Sequence, residues 1–140
     1  MNRTTTLTTI GLALVLCVSV VRAAEKPTEE YVKGMKAFNA ANGALRAAVP
    51  AKDYDAIAAA AASLKPHAEL LAKFWAGRAS EVAPKLSADV LKAVGDLETA
   101  AKAKDDAGMT AAAGVISGSC RMCHTAHRSE RLPDGTYEIK

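Results

Sequence analysis

TEEYVKGMKAFNAANGALRAAVP, residues 28–50, sets Tyr31, Met35, Phe38, Leu45 and Val49 close to a 3.6-residue period. That is the spacing of a helix with one buried face. Pro27 and the pair Glu29-Glu30 suit a helix start, and Pro50 is expected to stop it after Val49. Three more stretches read the same way. A second helix is expected from Asp53 or Tyr54 to about Trp75, through Ile57, the alanine run 58–62, Leu64, Leu70, Leu71 and Phe74, with a kink or restart at Lys65 because Pro66 follows. Residues 77–85 read as a loop ending at Pro84. Ser87 is then placed to cap a third helix carrying Val90, Leu91, Val94, Leu97 and Ala101. Asp105 or Asp106 caps a fourth, which carries Met109, Ile116, Cys120, Cys123 and His124 toward Arg128 or Glu130. No stretch has the β-branched alternation of a convincing strand, so the expected fold is all-α, an antiparallel up-down-up-down four-helix bundle.

Upstream of these helices, Met1 to Arg3 supply a positive start, Ile10 to Val21 are almost wholly apolar, and Val21-Arg22-Ala23 suits cleavage. Residues 1–23 therefore read as an export signal. The apolar run is too short to span a bilayer, which needs roughly 18 or more residues. Leu16, bulky before Cys17, speaks against a lipid-anchored cysteine. Taking 23 residues from 140 leaves 117, enough for one domain over 24–140. Without Arg3 and Arg22, sixteen basic residues face fifteen acidic ones. So even a balance argues against a nucleic-acid partner. The end of the chain changes character: Pro133-Asp134-Gly135 signals a turn, and Tyr137-Glu138-Ile139 alternates. Residues from about 131 to 140 read as an extended tail folded back on the bundle or as a free terminus.

With Cys17 gone, only Cys120 and Cys123 remain of three cysteines, so a scaffold of several disulfides is not available. Cys120-Arg121-Met122-Cys123-His124 matches C-x-x-C-H, in which two thiols one helical turn apart add to the vinyl groups of a haem and the next residue ligates its iron. A structural zinc site would want four ligands, and a thioredoxin-like pair would sit beside βα units. Neither context is present, and haem c attached through Cys120, Cys123 and His124 is the expectation. The low aromatic content, 4% of the chain, makes a thin core that a large apolar cofactor would thicken.

For a sixth ligand the candidates are Met35, Met109, His67 and His127. Met35, about two turns into the first helix, lies level with His124 in an antiparallel bundle. Met109 is fifteen residues before His124 on its own helix, roughly 22 Å at 1.5 Å per residue. His127 shares that helix and cannot cross to the opposite haem face. His67 stays open as the second choice, reachable if the second helix shifts by a turn, and ordinary core packing is the other reading of Met35. Gly34 beside Met35 is expected to make room for the porphyrin. Arg128 is placed to pair with a haem propionate, and Lys36 can do likewise.

A C-terminal C-x-x-C-H followed by Arg128 and preceded by three helices resembles the class II cytochromes c, the cytochrome c′ family, in layout over the whole chain from Ala24 onward. Met35-Lys36 resembles the Met-Lys pair of that family's low-spin, methionine-ligated branch. His127, where the family usually has tyrosine or phenylalanine, and the long tail from Ser129 depart from it. The resemblance implies a four-helix bundle with haem between the helices and one-electron transfer in the periplasm with redox partner proteins, and it leaves open whether the chain is a monomer or, as relatives often are, a homodimer through the first two helices. The alternative function is a gas-binding or gas-sensing haem protein with an open or displaceable sixth position. Peroxidase-like catalysis finds no distal acid–base constellation, and the chain is not expected to be an enzyme.

Overall fold

Acidic and hydroxyl side chains start three of the four helices, because the first free N–H groups of a helix need acceptors. The computed structural model describes residues 24–140; the expected export signal lies outside them. Helix α1 spans Glu29–Ala51, with the Thr28 hydroxyl accepting from the Tyr31 N–H at 3.2 Å. Helix α2 spans Tyr54–Ala76, with Asp53 accepting from the Ala56 N–H at 3.0 Å. Helix α4 spans Asp106–His127, with Asp105 accepting from the Gly108 N–H at 3.0 Å. Helix α3, Ala83–Ala103, is capped differently from the expectation. Pro84 lies inside its first turn, and the Ser80 hydroxyl accepts from the Ala83 and Val82 N–H groups at 3.0 and 3.3 Å. Ser87 is buried one turn further in, its hydroxyl donating to the Pro84 carbonyl at 2.9 Å.

The two turns at one end of the bundle repeat a sequence. Ala51-Lys52-Asp53 and Ala103-Lys104-Asp105 each put the lysine in the left-handed region, at φ 54° and 55°, and use the aspartate as the next N-cap. Each lysine N–H and the aspartate N–H after it bond back to carbonyls of the finishing helix. Such a link is too short to let the chain travel back along the bundle before the next helix starts, so its neighbours are antiparallel. We expect Asp105→Ala to cost about 1 kcal/mol in chemical denaturation, the usual loss for an N-cap. A plain loss of stability would show as an unchanged denaturant slope with a lower midpoint.

Pro50, expected to stop α1, sits inside it, and Pro66 lies within an α2 of about the expected length. α1 runs through Pro50 to Ala51, and α2 runs through Pro66 with no restart at Lys65. Each proline frees the carbonyl four residues back, at Arg46 and Ala62, and prolines and freed groups alike belong to exposed residues. Water replaces the lost hydrogen bond there, which removes much of the penalty a buried proline would carry.

The helices pack α1 on α2, α2 on α3 and α3 on α4, and the ring is closed by a much thinner α4–α1 seam. Lys52 and Tyr54, beside the α1–α2 turn, both reach Asp106 at the start of α4, at 2.5 and 3.1 Å. At the other end the Ser80 hydroxyl lies 3.1 Å from His127 Nε2. The main core gathers Phe38, Leu45, Ile57, Leu64, Val90, Leu97, Met109 and Ile116 with many alanines. A smaller cluster of Leu71, Trp75 and Ala83 lies where α1 starts and α4 ends, and Tyr31, Met35, Phe74, Cys123 and Ile139 pack on it. Exposed Lys–Asp and Lys–Glu pairs four residues apart line the outside of α3 and contribute little stability. Among the described residues no helix is long and apolar enough to cross a membrane.

Candidate functional site

Residues three and four apart share a helix face, so Cys120, Cys123 and His124 stand together on the last two turns of α4. That face looks onto the thin seam with α1. Two adjoining recesses open along it. The inner one, about 90 Å³, lies among all four helices and is lined by Met35, Cys120, Cys123 and His124 together with Phe38, Asn42 and Val90 among others. The outer one, about 460 Å³, is bounded by the first half of α1, the end of α4 and the C-terminal tail. That volume falls in the range of small-molecule and cofactor sites, roughly 300–1,000 Å³. Tyr31, Met35, Asn39, Cys123 and His124 border both recesses.

The two cysteines are unbridged and half-buried. Burial pushes the Cys120 thiol up, and pushes the Cys123 thiol up to about 11. A redox-active pair does the opposite, holding a thiolate at a helix N-terminus or beside a cation. Here the thiols sit in the last turns of a helix, where the dipole disfavours negative charge. The pair is therefore poorly suited to disulfide exchange. Partial enclosure, reinforced by the Arg128 guanidinium, holds the His124 imidazole below its ordinary value, which favours the neutral form that binds metal. Among the described residues no three His, Cys, Asp or Glu side chains converge as a metal-ion site would need.

Met35, in the second turn of α1, packs against both core clusters and faces the seam. His67 is on α2 next to Gly34 and borders neither recess. Met109 is sealed in the main core. Gly34 does not open space toward the recess as expected: a Cβ there would meet the Leu70 side chain, so the missing side chain lets α2 approach α1. His127 borders the outer recess, with its ring centroid 4.9 Å from that of Trp75. Arg128 stands at the rim of the outer recess, its guanidinium carbon 4.3 Å above the Tyr137 ring. Lys26 and Lys36 join it there.

A haem is a wide apolar plate with two carboxylates at one edge, and the residues present fit such a group. The thin α1–α4 seam admits a flat body, Val32, Met35, Trp75 and Ile139 supply apolar walls, and the cations stand at the rim. Asn42 Oδ1, buried beside the inner recess, has no hydrogen-bond partner in the protein, so that end is polar enough to take a donor. Sequence reasoning had no claim on Tyr31, Asn42 or Trp75 as site residues. Tyr31 had a visible signal, standing one turn before Met35 on the same stripe.

Compared with protein-family models, with curated proteins and with solved structures, the chain shows no significant match to any.

Tyr31 offers a test of how dry this region is. Its ring centroid lies 4.0 Å from that of Phe74, and burial pushes its hydroxyl up to about 12. Above pH 10 the unfolded chain loses that proton while the folded chain keeps it. The contribution is complete below pH 10 and disappears as the pH climbs to 12, roughly 3 kcal/mol in all. Tyr31→Phe should flatten the alkaline limb of a stability–pH curve by that amount; an unchanged limb would mean the hydroxyl is wet.

Proposed function

We propose that this chain is a periplasmic one-electron carrier whose haem c is joined to Cys120 and Cys123, ligated by His124 and, on its other face, by Met35. The observation that carries the proposal is the convergence of those four side chains on one recess in the seam between α1 and α4. When bound there, the group supplies a reversible one-electron couple. The chain's own residues do the rest. His124 presents a neutral imidazole, the thioether positions anchor the plate to α4, and the apolar walls from α1, α2 and the tail keep water away. Arg128, with Lys36 and Lys26, stands where propionates would meet it. If His124 and Met35 both held the iron, no position on it would be left for a substrate, which favours electron transfer between partner proteins over catalysis.

The likeness to the class II cytochromes c, in its methionine-ligated branch, supports this reading through the C-x-x-C-H segment and the Met35-Lys36 pair. The test is intact mass of the mature, exported chain. We expect the polypeptide from about Ala24 plus one haem, retained after denaturation. Bare polypeptide mass would overturn the proposal. A ferrous spectrum that is high-spin and takes up carbon monoxide at once would replace electron transfer by gas binding.

A further inference from the structure

Past α4 the chain does not trail away. Arg128 is extended, at φ −99° and ψ 132°, and the next residues form a tight hairpin. Gly135, at φ 81°, takes the left-handed position of the three-residue loop Pro133-Asp134-Gly135, and the Asp134 carboxylate accepts from the Thr136 N–H and hydroxyl at 2.9 and 2.6 Å. The returning strand is held on both edges. The Ile139 N–H donates to the Glu25 carbonyl at 2.8 Å, and the Glu25 N–H donates to the Ile139 carbonyl at 2.9 Å. On the other edge the Lys140 N–H reaches the His127 carbonyl and the Ser129 N–H reaches the Glu138 carbonyl, both at 2.9 Å. Glu25 is itself anchored, its carboxylate 2.5 Å from the Arg78 guanidinium, which lies 3.9 Å over the Phe74 ring.

Side chains two apart on a strand share a face. Tyr137 and Ile139 both border the outer recess; Tyr137 lies against Arg128, and Ile139 packs into the apolar cluster of Leu71, Trp75 and Ala83, on which Cys123 also packs. Gly135 to Ile139 thus form one whole wall of the outer recess. No tail residue belongs to the main core, so the bundle does not need the hairpin for its packing.

We propose that residues 129–140 are a fitted cover over the outer recess, seated by Ile139, which decides how freely water and small reagents reach what the recess holds. The proposal rests on the haem reading for its redox consequences and on the hairpin alone for its geometry. A closed cover lowers the local dielectric and disfavours the more highly charged ferric state, so it raises the reduction potential. It also slows outer-sphere reagents, which must wait for a local opening of the segment.

The experiment compares the exported full-length chain with Ile139→Asp, with the conservative Ile139→Leu, and with a deletion of residues 133–140 in case the aspartate disturbs folding. Intact mass first reports the haem in each, so loss of the cofactor reading is seen separately. With haem present, the ferrous protein gives one electron to ferricyanide, which becomes ferrocyanide. Ile139→Asp and the deletion should speed that oxidation about tenfold, as expected for a cover closed ten times as often as open, and lower the potential, while Ile139→Leu keeps both near the natural values. Without haem, acrylamide quenching of Trp75, the single tryptophan and 3% exposed, answers the same question: quenching should rise several-fold in the aspartate and deletion variants. In either case the amides of residue 139 and Glu25 should lose hydrogen-exchange protection together in Ile139→Asp, and the Glu25 amide should lose it in the deletion. Equal oxidation rates and potentials, or equal quenching where haem is missing, would overturn the cover even if the exchange protection changed.

Discussion

Met35→Ala should convert the ferric protein from a low-spin to a high-spin spectrum and let carbon monoxide bind the ferrous form without a displacement step. The argument is one of ligand supply. Among the methionines and histidines of the described chain, Met35 and His124 border both recesses, Met109 is enclosed in the main core, Met122 is exposed on α4 and borders neither recess, and His67 faces the α1–α2 seam. His127, on the same helix as His124, is engaged with Trp75 and Ser80. Removing the thioether therefore leaves no nearby soft or imidazole donor on the α1 side. The potential should fall as well, because methionine opposite histidine raises it.

The same substitution has a second signature if Met35 is only packing. Truncating a partly buried methionine between two clusters costs about 2 kcal/mol through lost burial and incomplete collapse of the gap. Stability then drops while the spectrum stays the same. Measuring both on one sample separates ligation from packing. Met35→His would retain a six-coordinate, low-spin site at a lower potential only if residue 35 binds the iron.

Much of the bundle was legible because its helices start and stop by local chemistry. Thr28, Asp53 and Asp105 cap through their own side chains, and Met109, Ile116 and Leu97 recur at the helical period, so neighbours a few residues away sufficed. Pro50 was misjudged because its cost depends on whether the freed carbonyl meets water, which is a property of the packed bundle. Ser80 was passed over and Ser87 preferred for α3, since a hydroxyl's partner is set by how the α2–α3 loop folds. Gly34 looked like space for a cofactor only while Leu70 of α2 was out of view. The site followed the same rule. C-x-x-C-H is contained in five residues and could be read directly, whereas Asn42 comes to the inner recess, and Trp75 and Ile139 to the outer one, from three other segments.

Replacing both cysteines, Cys120→Ala with Cys123→Ala, should abolish haem retention in a denatured, acid-extracted sample and leave the folded chain with haem bound weakly or not at all. The two thiols lie on the wall that also carries His124, so thioether bonds would hold the iron beside the imidazole at very high local concentration. Tethering of that kind is worth about 7 kcal/mol or more as an effective molarity. Without it, His124 and Met35 must capture a free cofactor that can leave through the α1–α4 seam, the least packed of the bundle. The unloaded chain should still form its helices, because the caps do not involve the cysteines and the main core meets them only through Cys120, packed at its edge. Its smaller cluster around Leu71 and Trp75 should loosen, as Tyr31, Met35 and Cys123 border a recess that the plate would otherwise fill. Circular dichroism should therefore report near-natural helicity with a lower unfolding midpoint. A single thiol left in place, Cys120→Ala alone, should give one thioether and intermediate retention. If the double variant kept its haem through denaturation, the attachment would lie elsewhere and the α4 face would be packing alone.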